Sequence, residues 1–152
     1  MLHVVFLCLT FAAPSLPQTN ARETLRGLSG VPVKVTYVRG AGRGDVAGLK
    51  TFVELRLRRS GVRIFDQPRR VDGRALLAVT VIVDGEGSLI FLETMLRQEV
   101  SIKRTPTVTA YPATWEATAL NGAPEATDAV VREEVGKQID NFINDFLAVN
   151  PQ

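Results

Sequence analysis

The carboxylate best suited to acid–base chemistry is Glu116, which directly follows the single tryptophan of the chain, Trp115. A carboxyl group in apolar surroundings keeps its proton to higher pH, as a general acid must. A glycoside hydrolase needs a second carboxyl at a set separation, and Asp84, Glu86 and Glu93 are the candidates. The sequence thus permits a small carboxylate-dependent hydrolase, although a lone tryptophan more often fills a core or forms a lid.

The other common catalytic side chains are confined to the start of the chain. The only histidine and the only cysteine are His3 and Cys8. Imidazole and thiolate are the usual general base, nucleophile and transition-metal ligands near neutral pH. If the first residues are removed, Ser-His-Asp and Cys-His catalysis, zinc fingers and disulfides are excluded. We therefore expect no metal and no cofactor.

The beginning of the chain has the form of a signal peptide. Residues 4–13 (VVFLCLTFAA) are apolar but too few to span a bilayer as a helix, and a proline-containing polar stretch follows, ending at Ala21. We predict a signal peptide over residues 1–21 and a single domain over 22–152, without a transmembrane segment. The protein is then periplasmic or secreted. Residues 1–3, however, carry no Lys or Arg, the basic residues with which signal peptides usually begin. If this leader is not functional, the protein is cytoplasmic.

A glycine-rich loop over residues 40–44 (GAGRG) lies between a predicted strand and a predicted helix. Residues 42–47 fit the G-x-G-x-x-A pattern, and Asp66 lies where a ribose-binding acid would follow. Asp45, however, places a negative charge where a pyrophosphate would bind. We therefore expect no dinucleotide, and keep as an alternative an anion or phosphate sensor that uses residues 40–44.

Arginines make the middle of the chain basic, whereas the last predicted helix is acidic. Bidentate arginines can bind an anionic ligand such as a lipid phosphate, but such charges more often form solvated faces or attract each other within a fold. Tyr111 and Trp115 lie on the same side of a predicted strand, so their rings could stack on a ligand. Because aromatic residues are not interleaved with these arginines, we do not expect the chain to bind nucleic acid. The candidate binding residues are Arg56, Arg59, Arg63, Arg69, Arg70, Tyr111 and Trp115.

Periodicity supplies the elements that position these residues. A strand over 33–38 is followed by a helix from the N-cap Asp45 to Gly61, a strand over 62–65, and a strand over 75–83 that is apolar on both parities, so we expect both faces to be mostly covered. After a hairpin turn comes a long amphipathic strand. Its predicted core side chains are Ile90, Leu92, Leu96, Val100 and Ile102.

The last part of the predicted domain holds a strand and a helix. Residues 107–119 can form a strand at the sheet edge, because Pro112 interrupts it. The final helix buries a stripe at helical spacing, namely Val131, Val135, Ile139, Phe142, Phe146 and Val149. The order β-α-β-β-β-(β)-α predicts an α+β fold, a two-layer sandwich of a mostly antiparallel sheet of four or five strands with two amphipathic helices on one face.

Several short segments resemble a group of small exported bacterial proteins of unassigned function. These segments are LRGLSGV (25–31), VELRLRRSGV (53–62), LRQEV (96–100), ATW (113–115) and FINDFLAVN (142–150). In element order alone the chain is similar to the lipopolysaccharide-assembly lipoprotein and to the N-terminal domain of the Tol-system propeller protein. The resemblance implies a non-enzymatic envelope protein that works by binding, and it implies no catalytic residue.

The functional expectation is therefore a non-enzymatic exported adapter of the bacterial cell envelope. Its partner would be an envelope protein or an anionic glycolipid, bound through a polar sheet face, an exposed sheet edge or the arginine-rich helix end. The alternatives are a hydrolase acting on an envelope glycan through Glu116, and the anion sensor at residues 40–44.

Overall fold

The chain folds into a five-stranded mixed sheet with helices on one face, and this computed structural model describes residues 18–67, 74–122 and 125–151. His3, Cys8, Arg69, Arg70 and most of the predicted signal peptide lie outside the described residues. The elements are α1 (Gln18–Glu23), β1 (Val33–Arg39), β2 (Gly42–Arg43), α2 (Val46–Arg59), β3 (Leu76–Val83), β4 (Leu89–Arg97), β5 (Val100–Ile102), β6 (Thr105–Ala110), β7 (Ala113–Gly122) and α3 (Asp128–Val149).

The strand order β2-β1-β3-β4-β7 confirms the predicted α+β sandwich. Strands β1 and β3 are parallel and joined through α2, and the other neighbours are antiparallel. Alternate residues of β1, β3 and β4 are buried beneath α2 and α3. The predicted stripe of α3 is buried in full.

Both long helices begin at side-chain caps. The Asp45 carboxylate accepts a hydrogen bond of 2.8 Å from the backbone N–H of Gly48 at the start of α2, and Thr127 caps α3 in the same way. Helix α2 ends before Gly61, whose φ of 85° is the left-handed conformation favoured at a helix C-terminus. The predicted limits of α2 are therefore confirmed.

Three predicted strands differ from the structure. The strand predicted over 107–119 divides around Pro112 into β6 and β7, which belong to different sheets. In residues 62–65 only Ile64 forms a bridge, to Val31 just before β1, because this segment leaves α2 directly and lies beside the entry to β1 rather than joining the sheet. The long strand after the hairpin ends at Arg97, where the pairing with β7 shifts register. Val100 and Ile102 therefore belong to the separate β5–β6 hairpin and are half-buried rather than in the core.

The predicted cover over both faces of the β3 strand is also wrong for one face. The face of the sheet opposite α2 and α3, here called the open face, carries no layer of described residues, and Ile82 on it is 44% exposed. The apolar side chains on the outer face of β3 are therefore not covered by a second layer of described residues. Within the described part of the chain, the open face is a surface.

Candidate binding surfaces

Strand β7 forms one edge of the main sheet, as the proline before it predicts. Among the described strands its only neighbour is β4. Near its start, the Thr24 hydroxyl donates a hydrogen bond of 3.0 Å to the carbonyl of Thr114. From Glu116 onward no described strand pairs with its outer side. Unpaired backbone groups on such an edge can accept an added strand.

Trp115 fastens this edge to the last helix. Its ring is buried and meets Phe142 edge-on at 5.2 Å between centroids. The indole N–H donates a hydrogen bond of 2.9 Å to the carboxylate of Asp145, which also accepts one of 2.8 Å from Arg22. Trp115 therefore occupies a core position, with its polar atom satisfied inside the protein.

Glu116 points to the other side of the sheet. The alternation along β7 places Glu116, exposed, on the open face, while Trp115 lies beneath α3. The indole therefore does not enclose the Glu116 carboxylate. Glu93, also on the open face, is opposite Thr118 and so diagonal to Glu116.

The other two candidate carboxylates lie in the turn between β3 and β4. Asp84 accepts hydrogen bonds from the backbone N–H of Leu89 at 3.1 Å and of Ser88 at 2.7 Å, and from the Ser88 hydroxyl. These bonds, led by that from Leu89, hold the pKa of Asp84 below its usual value. Asp84 is therefore a turn-forming carboxylate whose acceptors are occupied, and Glu86 is its neighbour in the same turn.

Tyr111 does not join Trp115 in a stacking pair. It lies before the start of β7, beyond Pro112, and its hydroxyl donates to the carbonyl of Arg74. Burial raises the pKa of this phenol. The register shift opposite Arg97 separates the two aromatic residues that the sequence placed on one parity.

The three described candidate arginines have different surroundings. The Arg56 guanidinium donates hydrogen bonds of 2.6 and 2.5 Å to the two carboxylate oxygens of Asp140, and these bonds lower the pKa of Asp140. Arg63 stacks over the ring of Phe65 at 5.9 Å. Arg59 is exposed and forms no ion pair with a described residue. Of the three, Arg59 is the cation most available to a ligand.

Arg56 and Arg59 nevertheless share one surface depression. Two adjoining hollows of about 300 and 310 Å³ lie along α2 and α3, and both include Phe52, Arg56 and Asp140. Most cations here already have carboxylate partners: Arg132 pairs with Asp45, and Lys137 pairs with two glutamates. The remaining lining residues are Leu55, Arg59, Ser60, Arg132, Glu133, Gly136 and Lys137.

The glycine-rich loop is a tight hairpin. Val38 pairs with Arg43 and Arg39 with Gly42, which makes β2 the return arm of β1. Gly44 lies so close to the ring of Tyr37 that a β-carbon there would overlap it. The Asp45 carboxylate occupies the amide end of α2, where a phosphate would have to bind. Packing against Tyr37 thus explains Gly44 without a ligand.

The open face is the sheet face that the sequence predicted to be polar, and it carries apolar side chains that the sequence analysis did not single out. Its side chains align in rows across the strands, because β1, β3, β4 and β7 are all in register. One row is wholly apolar and consists of Val38, Ile82, Phe91 and Leu120. Leu120 is 68% exposed. The sequence signal for this row was the set of apolar side chains of β3 that point away from the helices. From sequence alone, such a pattern predicts a strand that is buried on both faces.

Within the described ranges, no group of three or more His, Cys, Asp and Glu side chains is arranged to hold a metal ion. Nor does any helix there have the length and apolar character needed to cross a membrane. In comparisons with known proteins, no protein-family model matches the chain and no curated protein matches its sequence.

Proposed function

We propose that this chain is an exported, non-enzymatic adapter of the bacterial cell envelope that binds an extended segment of a partner protein along β7. The observation that carries the proposal is the outer edge of β7 from Glu116 to Gly122, with which no described strand pairs. A peptide that adds a strand there gains main-chain hydrogen bonds without any catalytic group.

The edge is held rigid from within, which favours binding. Trp115 is fixed to α3 by its bond to Asp145, and Asn121 donates a hydrogen bond of 2.7 Å to Glu134 of the same helix. Both ends of the strand are therefore tied to the last helix. A preformed edge loses little conformational entropy when a partner strand docks, so more of the interaction energy contributes to affinity.

The side chains of β7 leave room for a partner. Ala117 and Ala119 are small and half-buried on the helix side, while Thr118 and Leu120 are exposed on the open face. Glu116 is the only charge in the strand. Natural edges are commonly protected by lysines, prolines or bulges, and residues 117–120 have none of these.

Export is the second part of the proposal and rests on the apolar run and polar stretch of the leader. Cleavage after Ala21 retains Arg22 with its ion pair to Asp145, and Leu25, which is fully buried. The contacts made by residues after Ala21 are thus kept in the mature chain, whereas cleavage divides α1 and removes Ala21, which packs against the core. Expression in a Gram-negative host, fractionation and N-terminal sequencing should recover a periplasmic chain beginning at Arg22. Recovery of an uncleaved cytoplasmic chain would contradict export.

The edge can be tested with a library of extended peptides tiled from envelope proteins, selected on the immobilised full chain. Successive backbone N–H groups of a strand point to opposite edges. One of the two variants Ala117→Pro and Thr118→Pro therefore loses a backbone N–H that bonds to β4. The other loses only a backbone N–H that points away from the sheet. The variant that keeps the wild-type melting temperature should lose peptide binding. Peptides that bind this folded variant as tightly as wild type would refute the proposal.

A second candidate ligand is an anionic lipid headgroup at the hollow between α2 and α3, favoured by the exposed Arg59. The probe is sedimentation with vesicles of neutral lipid that also contain anionic phospholipid, whose negative surface potential attracts basic side chains. Arg59→Glu should release the chain from these vesicles. Arg58→Glu is the matched control, because Arg58 lies at the same helix end but already pairs with Glu54 at 3.0 Å.

A further inference from the structure

We infer that the open face is a self-complementary interface through which two copies of this chain pack sheet against sheet. The observation is the order of side chains in three successive rows across β1, β3, β4 and β7. A two-fold axis parallel to the strands, midway between β3 and β4, keeps each row at its own height. It places β1 of one copy over β7 of the other, and β3 over β4.

The apolar row supplies the driving force. Under this symmetry Val38 of one copy faces Leu120 of the other, and Ile82 faces Phe91. Ile82 is 44% exposed and Leu120 is 68% exposed, and Leu89 next to the row is 47% exposed. Burial of contiguous apolar side chains is the main favourable term in association.

The charged row fixes the orientation. In register across the sheet it reads Lys34, Ala78, Met95 and Glu116, so opposite charges stand on the two outer strands. The two-fold axis brings Lys34 of each copy against Glu116 of the other, and Ala78 against Met95. Every contact is then made twice, as an isologous dimer requires. If one copy were instead rotated by 180° within the plane of the interface, the apolar row would face the charged row. Both Lys34–Glu116 pairs would then be lost.

The polar row, which lies between the apolar and charged rows, is also complementary to the same row of the second copy. It reads Thr36, Thr80, Glu93 and Thr118. Each Thr80 hydroxyl faces the half-buried Glu93 of the other copy and can donate to its carboxylate. Thr36 faces Thr118. This donor offsets part of the water that the carboxylate loses, while the two Glu93 side chains also approach each other beside the axis.

The available area fits a reversible dimer. Four strands about 4.8 Å apart and seven residues of about 3.3 Å each give roughly 440 Å² of flat surface per copy, or about 900 Å² for the pair. This lies toward the low end of specific interfaces, where affinity depends strongly on a few contacts. Individual substitutions should consequently have measurable effects on dissociation.

The test is sedimentation equilibrium of the full chain over a wide concentration range, with charge variants. Wild type should dimerise. Lys34→Glu and Glu116→Lys should each weaken the dimer about tenfold, because each turns two attractions into repulsions. The double variant Lys34→Glu/Glu116→Lys should recover it. A monomer at all concentrations, or a double variant no tighter than the singles, would overturn the inference.

A zero-length carbodiimide cross-link gives an independent readout. Lys34 and Glu116 stand three strand spacings apart in one copy, about 14 Å, so a direct amide between them must join two molecules. We expect this cross-linked peptide in the dimer band. Ile82→Lys should abolish the dimer, whereas Leu55→Lys, at the same 44% exposure on α2, should not. A dimer that survives Ile82→Lys, or lacks the cross-link, forms through another surface and refutes the proposal.

Discussion

The indole N–H of Trp115 and the carboxylate of Asp145 are joined by a hydrogen bond of 2.9 Å that links the edge strand β7 to the last helix α3. Asp145 also accepts from Arg22. One carboxylate thus connects the N-terminal segment, the sheet edge and the C-terminal helix.

Trp115→Phe should keep the ring contact with Phe142 but remove this bond. Loss of a bond to a charged acceptor, together with the smaller ring, should lower the free energy of unfolding by about 2 kcal/mol. Urea denaturation measures the change. Asp145→Asn, which retains an acceptor oxygen, should cost less. An equal or larger loss for Asp145→Asn would show that the ion pair to Arg22 dominates.

Thr94 is fully buried in β4, and its hydroxyl has no hydrogen-bond partner among the described residues. Thr94→Val has nearly the same shape and removes the unsatisfied group. We expect it to raise the free energy of unfolding by about 1 kcal/mol. Thr109→Val, on the exposed strand β6, is the control and should change stability little. A destabilised Thr94→Val would indicate a bound water at this hydroxyl.

The ion pair between Arg56 and Asp140 predicts a dependence on acid. The folded-state pKa of Asp140 is lowered by the Arg56 hydrogen bonds. Its stabilisation is therefore complete above the ordinary carboxyl pKa of about 3.9 and is lost as pH falls through the lower folded value. The pair is partly exposed, so about 0.5 kcal/mol is expected. Arg56→Met should show a smaller drop in melting temperature between pH 7 and pH 3.

The carboxylate of Asp84 provides an internal control in the same experiment. Asp84 has a lowered pKa as well, through hydrogen bonds within its turn that Arg56→Met does not touch. Part of the acid sensitivity should therefore remain in the variant. If wild type and Arg56→Met lose stability identically between pH 7 and pH 3, the pair contributes nothing to folding.

Gly44→Ala should destabilise the fold because the new methyl group overlaps the Tyr37 ring. Overpacking of this kind costs about 1–3 kcal/mol. Gly42→Ala is the matched control in the same hairpin, since its β-carbon would meet only the Arg39 carbonyl at an ordinary 3.6 Å. Thermal denaturation of the pair measures the difference. Equal stabilities would mean that the Tyr37 ring moves aside freely.

Glu93→Gln should strengthen the proposed dimer. Strands β3 and β4 flank the two-fold axis, so the two Glu93 carboxylates approach each other across it. Removing this like-charge repulsion while keeping an acceptor for Thr80 should tighten dimerisation severalfold. The measurement is the dimer dissociation constant at neutral pH. A weaker dimer would place Glu93 against a cation and contradict the proposed symmetry.

Local patterns predicted much of the fold. The limits of α2 follow from Asp45 and Gly61, and the stripe of α3 follows from its spacing, because caps and helical periodicity act over a few residues. The proline before β7 correctly placed that strand at an edge. Each of these features is determined by neighbours in sequence.

The site was less predictable because it depends on register. Trp115 and Glu116 are adjacent in sequence but lie on opposite faces of the sheet. The charged row from Lys34 to Glu116 exists only once four strands are aligned, and no local pattern contains that alignment. Likewise, the pairing of Arg56 with Asp140 joins residues 84 positions apart.

Asn150, at the end of α3, closes the two ends of the domain onto each other. Its side-chain amide donates to the carbonyl of Leu25, 125 positions earlier, and accepts from the N–H of Gly27 at 2.7 Å. Leu25, the first fully buried residue of the described chain, is thus hydrogen-bonded by the residue that ends α3. The core cannot be completed before α3 has been synthesised, because contacts so distant in sequence form late. Until α3 is in place, the chain should remain loosely folded and able to be threaded through a narrow channel.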